Sequence, residues 1–170
     1  MGQTAVIVPI AAAEAAVGHA RARYDTSTQF GVPAHVTVVF PFVPQARLDA
    51  PTIAELRTIV AAHPAFDVTL RAFARFPHVL YLAPEPAEPF ARLTEALVRR
   101  WPEAPPYGGA FGSAVVPHLT VTDRASPDGE AAAVREVAPH LPVTATVDAA
   151  WLIRFDGASW SRWVELPLAD

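Results

Sequence analysis

Two short runs carry the chemistry this chain can offer. His35, Val36, Thr37 and Val38 stand two residues after Pro33, and His118, Leu119, Thr120 and Val121 follow Pro117 directly. Both reduce to histidine, apolar, threonine, apolar. In a strand, successive side chains point to opposite faces. His35 then shares a face with Thr37, and His118 with Thr120, while Val36, Val38, Leu119 and Val121 turn toward a core. Two such strands facing each other would surround one small volume with two imidazoles, which exchange protons near neutrality, and two hydroxyls. That set suits acid–base chemistry on an anionic, oxygen-rich group. A lone histidine in such a run is most simply a core or surface residue. Recurrence of the whole pattern is what points to function.

The elements that must position these runs can be read in order. Thr4 to Ile10 is an apolar strand, and Ala11 to Tyr24 a helix broken at Asp25, Thr26 and Ser27. The first histidine strand spans about Ala34 to Phe40. Asp49 or Thr52 caps a helix reaching His63, with Ile53, Leu56, Ile59 and Val60 at helical spacing. Phe66 to Phe76 and His78 to Ala83 read as strands. Glu88 to Trp101 is a helix with Phe90, Leu93, Leu97 and Val98 on one side. A loop rich in Pro and Gly, Pro102 to Ser113, leads to the second histidine strand, and Asp128 to Pro139 gives a further helix. Val143 to Phe155 and Ser161 to Leu168 close the chain as two strands around a turn at Asp156 and Gly157. Strand, helix, histidine strand, helix, strand thus occurs twice, with the histidines about half the chain apart. The expectation is one domain over 1–170 made of two duplicated lobes, about 1–77 and 78–170, with the site in the cleft between them.

Composition narrows the chemistry. The 170 residues are 52% hydrophobic and 18% charged, enough apolar material for a sizeable core. There is no Cys, which excludes disulfides, thiolate nucleophiles and Cys-based zinc sites. There is no Lys either: all 13 basic residues are Arg. A phosphate-loop lysine, a lysyl adenylate and a Schiff base are therefore excluded, and any phosphate must be met by Arg, hydroxyls, imidazoles or backbone amides. A net charge of −4 disfavours broad binding to a nucleic-acid duplex, leaving a small nucleotide or a strand end. The absence of a basic leader and of any long apolar run gives the expectation of a cytoplasmic protein without a membrane span.

The paired motifs, the doubled element order and the runs His-Val-Thr-Val-Val-Phe-Pro-Phe and Tyr107-Gly108-Gly109 to Pro117-His118 resemble the two-histidine phosphoesterase superfamily. Its familiar branch is the 2′-5′ RNA ligase, or RNA 2′,3′-cyclic phosphodiesterase, family. The resemblance implies an α+β fold in which two mainly antiparallel sheets flank a V-shaped cleft with helices outside. It implies catalytic His35, Thr37, His118 and Thr120, and neither a metal nor a nucleotide cofactor. The implied reaction hydrolyses, or reversibly forms, a 2′,3′-cyclic phosphate or a 2′-5′ phosphodiester of RNA or a nucleotide. The chain departs from RNA-processing members at Val115 and Val116, where those often carry a basic residue. Hydrolysis of a cyclic phosphate on an ADP-ribose-like nucleotide, or nucleotide and RNA-end binding with little turnover, stay open beside it. A metal held by His35 and His118 is disfavoured, because Thr is a poor ligand and no acidic residue joins either motif on its face.

Further residues are candidates for holding a substrate. Tyr107 and Phe111, in the Gly-rich loop, could stack on a base or pack beneath the loop. Phe40 and Phe42 pose the same question after the first motif. Arg154 could meet a phosphate or cover apolar surface. Thr122 could line the cleft, while Asp123 reads as a strand end. His19, His63, His78 and His140 lack the motif and read as structural, and Trp160 and Trp163 as strand packing. The expected partner is a small nucleotide or an RNA terminus, bound by a monomer.

Overall fold

Two antiparallel sheets of four strands each organise the computed structural model, which describes residues 2–112 and 115–170. The first has the order β2-β1-β7-β8, from β1 (Thr4–Pro9), β2 (His35–Val39), β7 (Ala149–Phe155) and β8 (Trp160–Pro167). The second has the order β5-β4-β3-β6, from β3 (Phe66–Phe76), β4 (Val79–Glu85), β5 (Leu119–Asp123) and β6 (Val143–Val147). Four α-helices lie outside: α1 (Glu14–Tyr24), α2 (Ala50–Ala61), α3 (Glu88–Arg100) and α4 (Pro127–Val137). This is the expected α+β fold with two sheets about a cleft.

The helices cross over. α1 leaves β1 yet packs on β5 and α4, whereas α3 leaves β4 yet packs on β2, beside α2. Each sheet is therefore covered partly by a helix drawn from the other sheet's connections, and a continuous apolar core joins them through Val6, Val36, Leu70, Leu80, Leu93 and Val121. Helix starts follow their local chemistry. The Asp49 carboxylate accepts from the Thr52 N–H at 2.9 Å, and the Ser126 hydroxyl accepts from the Gly129 N–H at 3.1 Å, each followed by proline in the first turn.

Three expectations are corrected. Val143 to Phe155 is not one strand: it breaks at Asp148 into β6 and β7, which belong to different sheets. Alternation runs on through the break, so the pattern carries no sign of it. The second histidine strand starts at Leu119, with His118 just ahead of it, and Ala11–Ala13 form a 3-10 turn before α1. Within the sheets, β3 joins β4 and β5, while β7 and β8 return to β1.

Both histidine strands carry a β-bulge at the same place. Pairing passes from Ile7 with Thr37 to Val6 with Val39, so Val38 is an extra residue. It likewise passes from Tyr81 with Thr120 to Leu80 with Thr122, so Val121 is extra. A bulge re-aims the side chains beyond it. Val38 and Val39 both enter the core, and Phe40 emerges on the cleft side against Trp160 at 5.8 Å between ring centroids.

Candidate active site

The bulges decide which side chains reach the cleft. Cross-strand partners share a face, so Thr37 lies with Ile7 and Trp151 in one row, and Thr120 lies with Tyr81 and Ala74 in another. Val36 and Leu119 point the other way and are fully buried, as their alternation predicts. Thr122 lies past the bulge opposite the core residue Leu80 and is 1% exposed, so it does not line the cleft.

The two imidazoles are held alike. His35 Nδ1 lies 2.7 Å from the Pro33 carbonyl and His118 Nδ1 lies 2.8 Å from the Val116 carbonyl, in each case two residues back. A carbonyl can only accept, so Nδ1 carries the proton and the neutral ring keeps its lone pair on Nε2. β2 and β5 approach each other across the cleft, and the charge of His118 bears on His35. Burial lowers the His35 pKa to about 4, opposed by the Pro33 carbonyl and the Asp25 carboxylate and aided by Arg21 and His118. Burial also lowers His118, opposed by the Val116 carbonyl. His118 sits edge-on to two aromatic rings that the sequence did not single out, Phe76 at 5.1 Å and Tyr81 at 5.5 Å. Phe76 and Tyr81 stack at 4.4 Å, which sets the wall behind that imidazole.

The substrate candidates divide. Tyr107 stands beside Thr37. Its N–H donates to the Phe40 carbonyl at 2.6 Å, its φ of 52° is left-handed, and burial raises its phenol pKa against the pull of the Thr37 hydroxyl. Phe111 meets the Tyr107 ring edge-on at 5.5 Å and is 72% exposed. Phe42 is a core residue instead: it is 4% exposed and packs edge-on against Trp101 at 5.2 Å, because the chain has turned over after the bulge. Arg154 is also displaced from the site. It alternates with Trp151 and Ile153 on β7, so it lies on the opposite face of the sheet, with its guanidinium over Trp163 at 5.3 Å.

A cavity of about 360 Å³ lies where β1, β6, β7 and β8 meet. It begins at Pro9, the cross-strand partner of His35, and is closed by Thr146, Asp148, Trp151 and Glu165. Trp151 carries the Arg162 guanidinium at 5.0 Å from its ring centroid. Sequence reading missed this cavity because its walls come from β1, β6, β7 and β8, which are far apart along the chain. No helix among the described residues is long and apolar enough to cross a membrane.

This architecture has counterparts. Escherichia coli LigT, in its crystal structure complexed with 3′-AMP, superposes with a TM-score of 0.63 at 16% identity, covering 99% of this chain and 98% of LigT. LigT complexed with NADP+ gives a TM-score of 0.61 at 15% identity, over 99% and 98% of the two chains. TT0787 of Thermus thermophilus gives 0.66 at 20% identity, over 97% of each chain. No curated protein sequence matches. The sequence model of the 2′-5′ RNA ligase superfamily matches residues 8–159, the span that holds both histidine motifs and most of the strands. The chain belongs to the 2′-5′ RNA ligase superfamily.

Proposed function

We propose that the protein is a metal-independent phosphoesterase acting on a 2′,3′-cyclic phosphate or a 2′-5′ phosphodiester of a nucleotide or RNA end. One observation carries the reading: two imidazoles, each fixed through Nδ1 to a backbone carbonyl and each with a threonine on its own face, bear on one another across a cleft. His35, neutral at physiological pH, is the base. Its Nε2 takes a proton from a water whose oxygen attacks phosphorus. His118, on the other side of the phosphate, is then the acid, giving a proton to the ribose oxygen as its bond to phosphorus breaks. Thr37 and Thr120 donate to the non-bridging oxygens, where charge accumulates. The proton gained by His35 returns to His118 through solvent, and the product is a phosphomonoester.

Tyr107 and Phe111, paired at the lip of the cleft, supply a stacking platform for a base. The appearance of LigT with 3′-AMP and with NADP+ supports a nucleotide as ligand, and the second of these keeps a dinucleotide of the ADP-ribose kind among the substrates to be assayed. One chain supplies both histidines, so the reading is of a monomer. The test is hydrolysis of a panel of 2′,3′-cyclic nucleotides and 2′-5′ dinucleotides by purified protein with excess chelator. Turnover that survives the chelator and disappears in both His35→Ala and His118→Ala is expected. Binding without turnover would reduce the protein to a nucleotide-binding module, and activity restored only by a divalent ion would replace the mechanism.

A further inference from the structure

We propose that the buried Arg21–Asp25 pair is a positioning device for His35, presetting the first imidazole through the backbone that precedes it. Its catalytic consequence rests on the phosphoesterase reading above; its geometry does not. Arg21 is 2% exposed and Asp25 6%, one helical turn apart at the end of α1. Arg21 Nε donates to Asp25 Oδ2 at 3.0 Å, and Nη2 donates to the Ser27 hydroxyl and to the Val32 carbonyl, each at 3.2 Å. Asp25 Oδ1 accepts from the Ser27 N–H at 3.0 Å, and the Asp25 carbonyl accepts from the Thr28 hydroxyl at 2.7 Å.

The guanidinium thus ties the loop between α1 and β2 at both ends. Beyond Val32 comes Pro33, whose ring restricts φ, and the Pro33 carbonyl holds the Nδ1 proton of His35. Two further bonds fix Ala34: its N–H donates to Glu14 Oε1 at 2.5 Å, and its carbonyl accepts from the Ile10 N–H at 2.8 Å. Residues 32–34 are therefore gripped at three consecutive positions immediately ahead of His35. An apolar pair of similar size would generally cost a fold little or stabilise it, so stability alone does not account for a charged pair at this depth. The two halves of the site are anchored unequally, since the carbonyl that holds His118 belongs to Val116, which is 52% exposed.

The decisive protein is the double variant Arg21→Met/Asp25→Leu, read by its unfolding transition, by nitrogen-15 spectra of the imidazoles and by steady-state kinetics on a 2′,3′-cyclic nucleotide. The titratable group that bears on His35 besides this pair is His118, and it is left in place, as is Glu14 on the Ala34 N–H. The expected outcome is a folded protein in which His35 no longer holds the Nδ1–H tautomer, His118 is unmoved, and kcat falls roughly ten- to a hundred-fold at nearly constant KM, the scale of a small misplacement of a reacting group. A folded double variant with the His35 tautomer and kcat unchanged would overturn the proposal. Should the double variant not fold, Asp25→Asn and Arg21→Lys decide. The first removes a charge that raises the His35 pKa, so its titration should move down. The second keeps the positive charge but not the fork to Val32, so it should lower kcat while leaving that titration in place. Unchanged titration in the first with unchanged kcat in the second would also refute the idea. If the wild type turned over no substrate, the function would fail, yet the imidazole spectra would still judge the positioning role.

Discussion

His35 sits where folding makes an imidazole less basic, because burial outweighs the carbonyl and carboxylate that favour its charged form. The consequence for stability has a definite sign. An unfolded histidine titrates near 6.5 and the folded one near 4, so between those values the unfolded chain binds the extra proton. His35 therefore takes stability away as pH falls from 6.5 toward 4, up to about 3 kcal/mol at the lower end. The wild type should lose more stability between pH 7 and 4.5 than His35→Gln, measured by urea midpoint, and equal losses would contradict the buried neutral ring. In activity, His35→Ala and His118→Ala should each cost about a hundred- to ten-thousand-fold in kcat. The double mutant should be scarcely worse than either single one, since groups acting as a unit are not additive. Thr37→Val and Thr120→Val remove one hydrogen bond to developing charge each and should cost about ten- to a hundred-fold, with KM little changed.

At the scale of elements, the matched bulges explain why alternation locates the paired histidines and threonines and misplaces the residues after them. His35, Thr37, His118 and Thr120 precede the extra residues Val38 and Val121, so period-two reading puts them on the correct face. Phe42 and Thr122 follow them and are turned inward. Arg154 fails for a different reason: position on β7 was legible, but not which face of β7 meets the cleft, which depends on the exchange of strands at Asp148. Helices were the easiest to read, because α2 and α4 carry capping side chains and α2, α3 and α4 all have early prolines and spaced apolar side chains. Partnership between distant elements was not, since nothing local in α1 says that it packs on β5 rather than on the sheet it leaves. Capping offers a control that separates fold from function. Asp49→Ala removes the bonds from the Thr52 N–H and hydroxyl at the start of α2 and should lower stability by about 1 kcal/mol. Its kcat and KM should match the wild type, because α2 lies outside the cleft.

The whole molecule confines charge in a way that assigns parts of a substrate to parts of the cleft. With net charge −4 and no Lys, the chain can draw an anion in only by local donors, and in the proposed reaction the phosphate lies at the two imidazoles and two hydroxyls. The cavity beside Pro9 has a different character: Asp148 and Glu165 line it, with Glu165 holding Arg162 at 2.8 Å, so it offers carboxylate acceptors to an uncharged ring that carries N–H donors. Thr37, Ile7 and Trp151 lie in one row on adjacent strands, so Trp151 is two strand spacings from Thr37, roughly 10 Å along the sheet. In the proposed reaction, the nucleoside on that phosphate has two aromatic platforms to reach, Trp151 on one side and Tyr107 with Phe111 at the lip on the other. The two are separable by kinetics. If the base is held at the lip, Phe111→Ala and Tyr107→Phe/Phe111→Ala should raise KM for a cyclic nucleotide by about ten-fold, the value of one lost stacking contact, while Trp151→Ala leaves it unchanged. If the base enters the cavity, the same rise should follow Trp151→Ala and should be larger for a guanine than for a uracil nucleotide, because only guanine offers adjacent N–H donors to the two carboxylates. The Nδ1 anchors of His35 and His118 are untouched by any of these changes, so kcat should hold in all of them. A fall in kcat at constant KM would mean that these aromatic residues shape the imidazoles rather than the base.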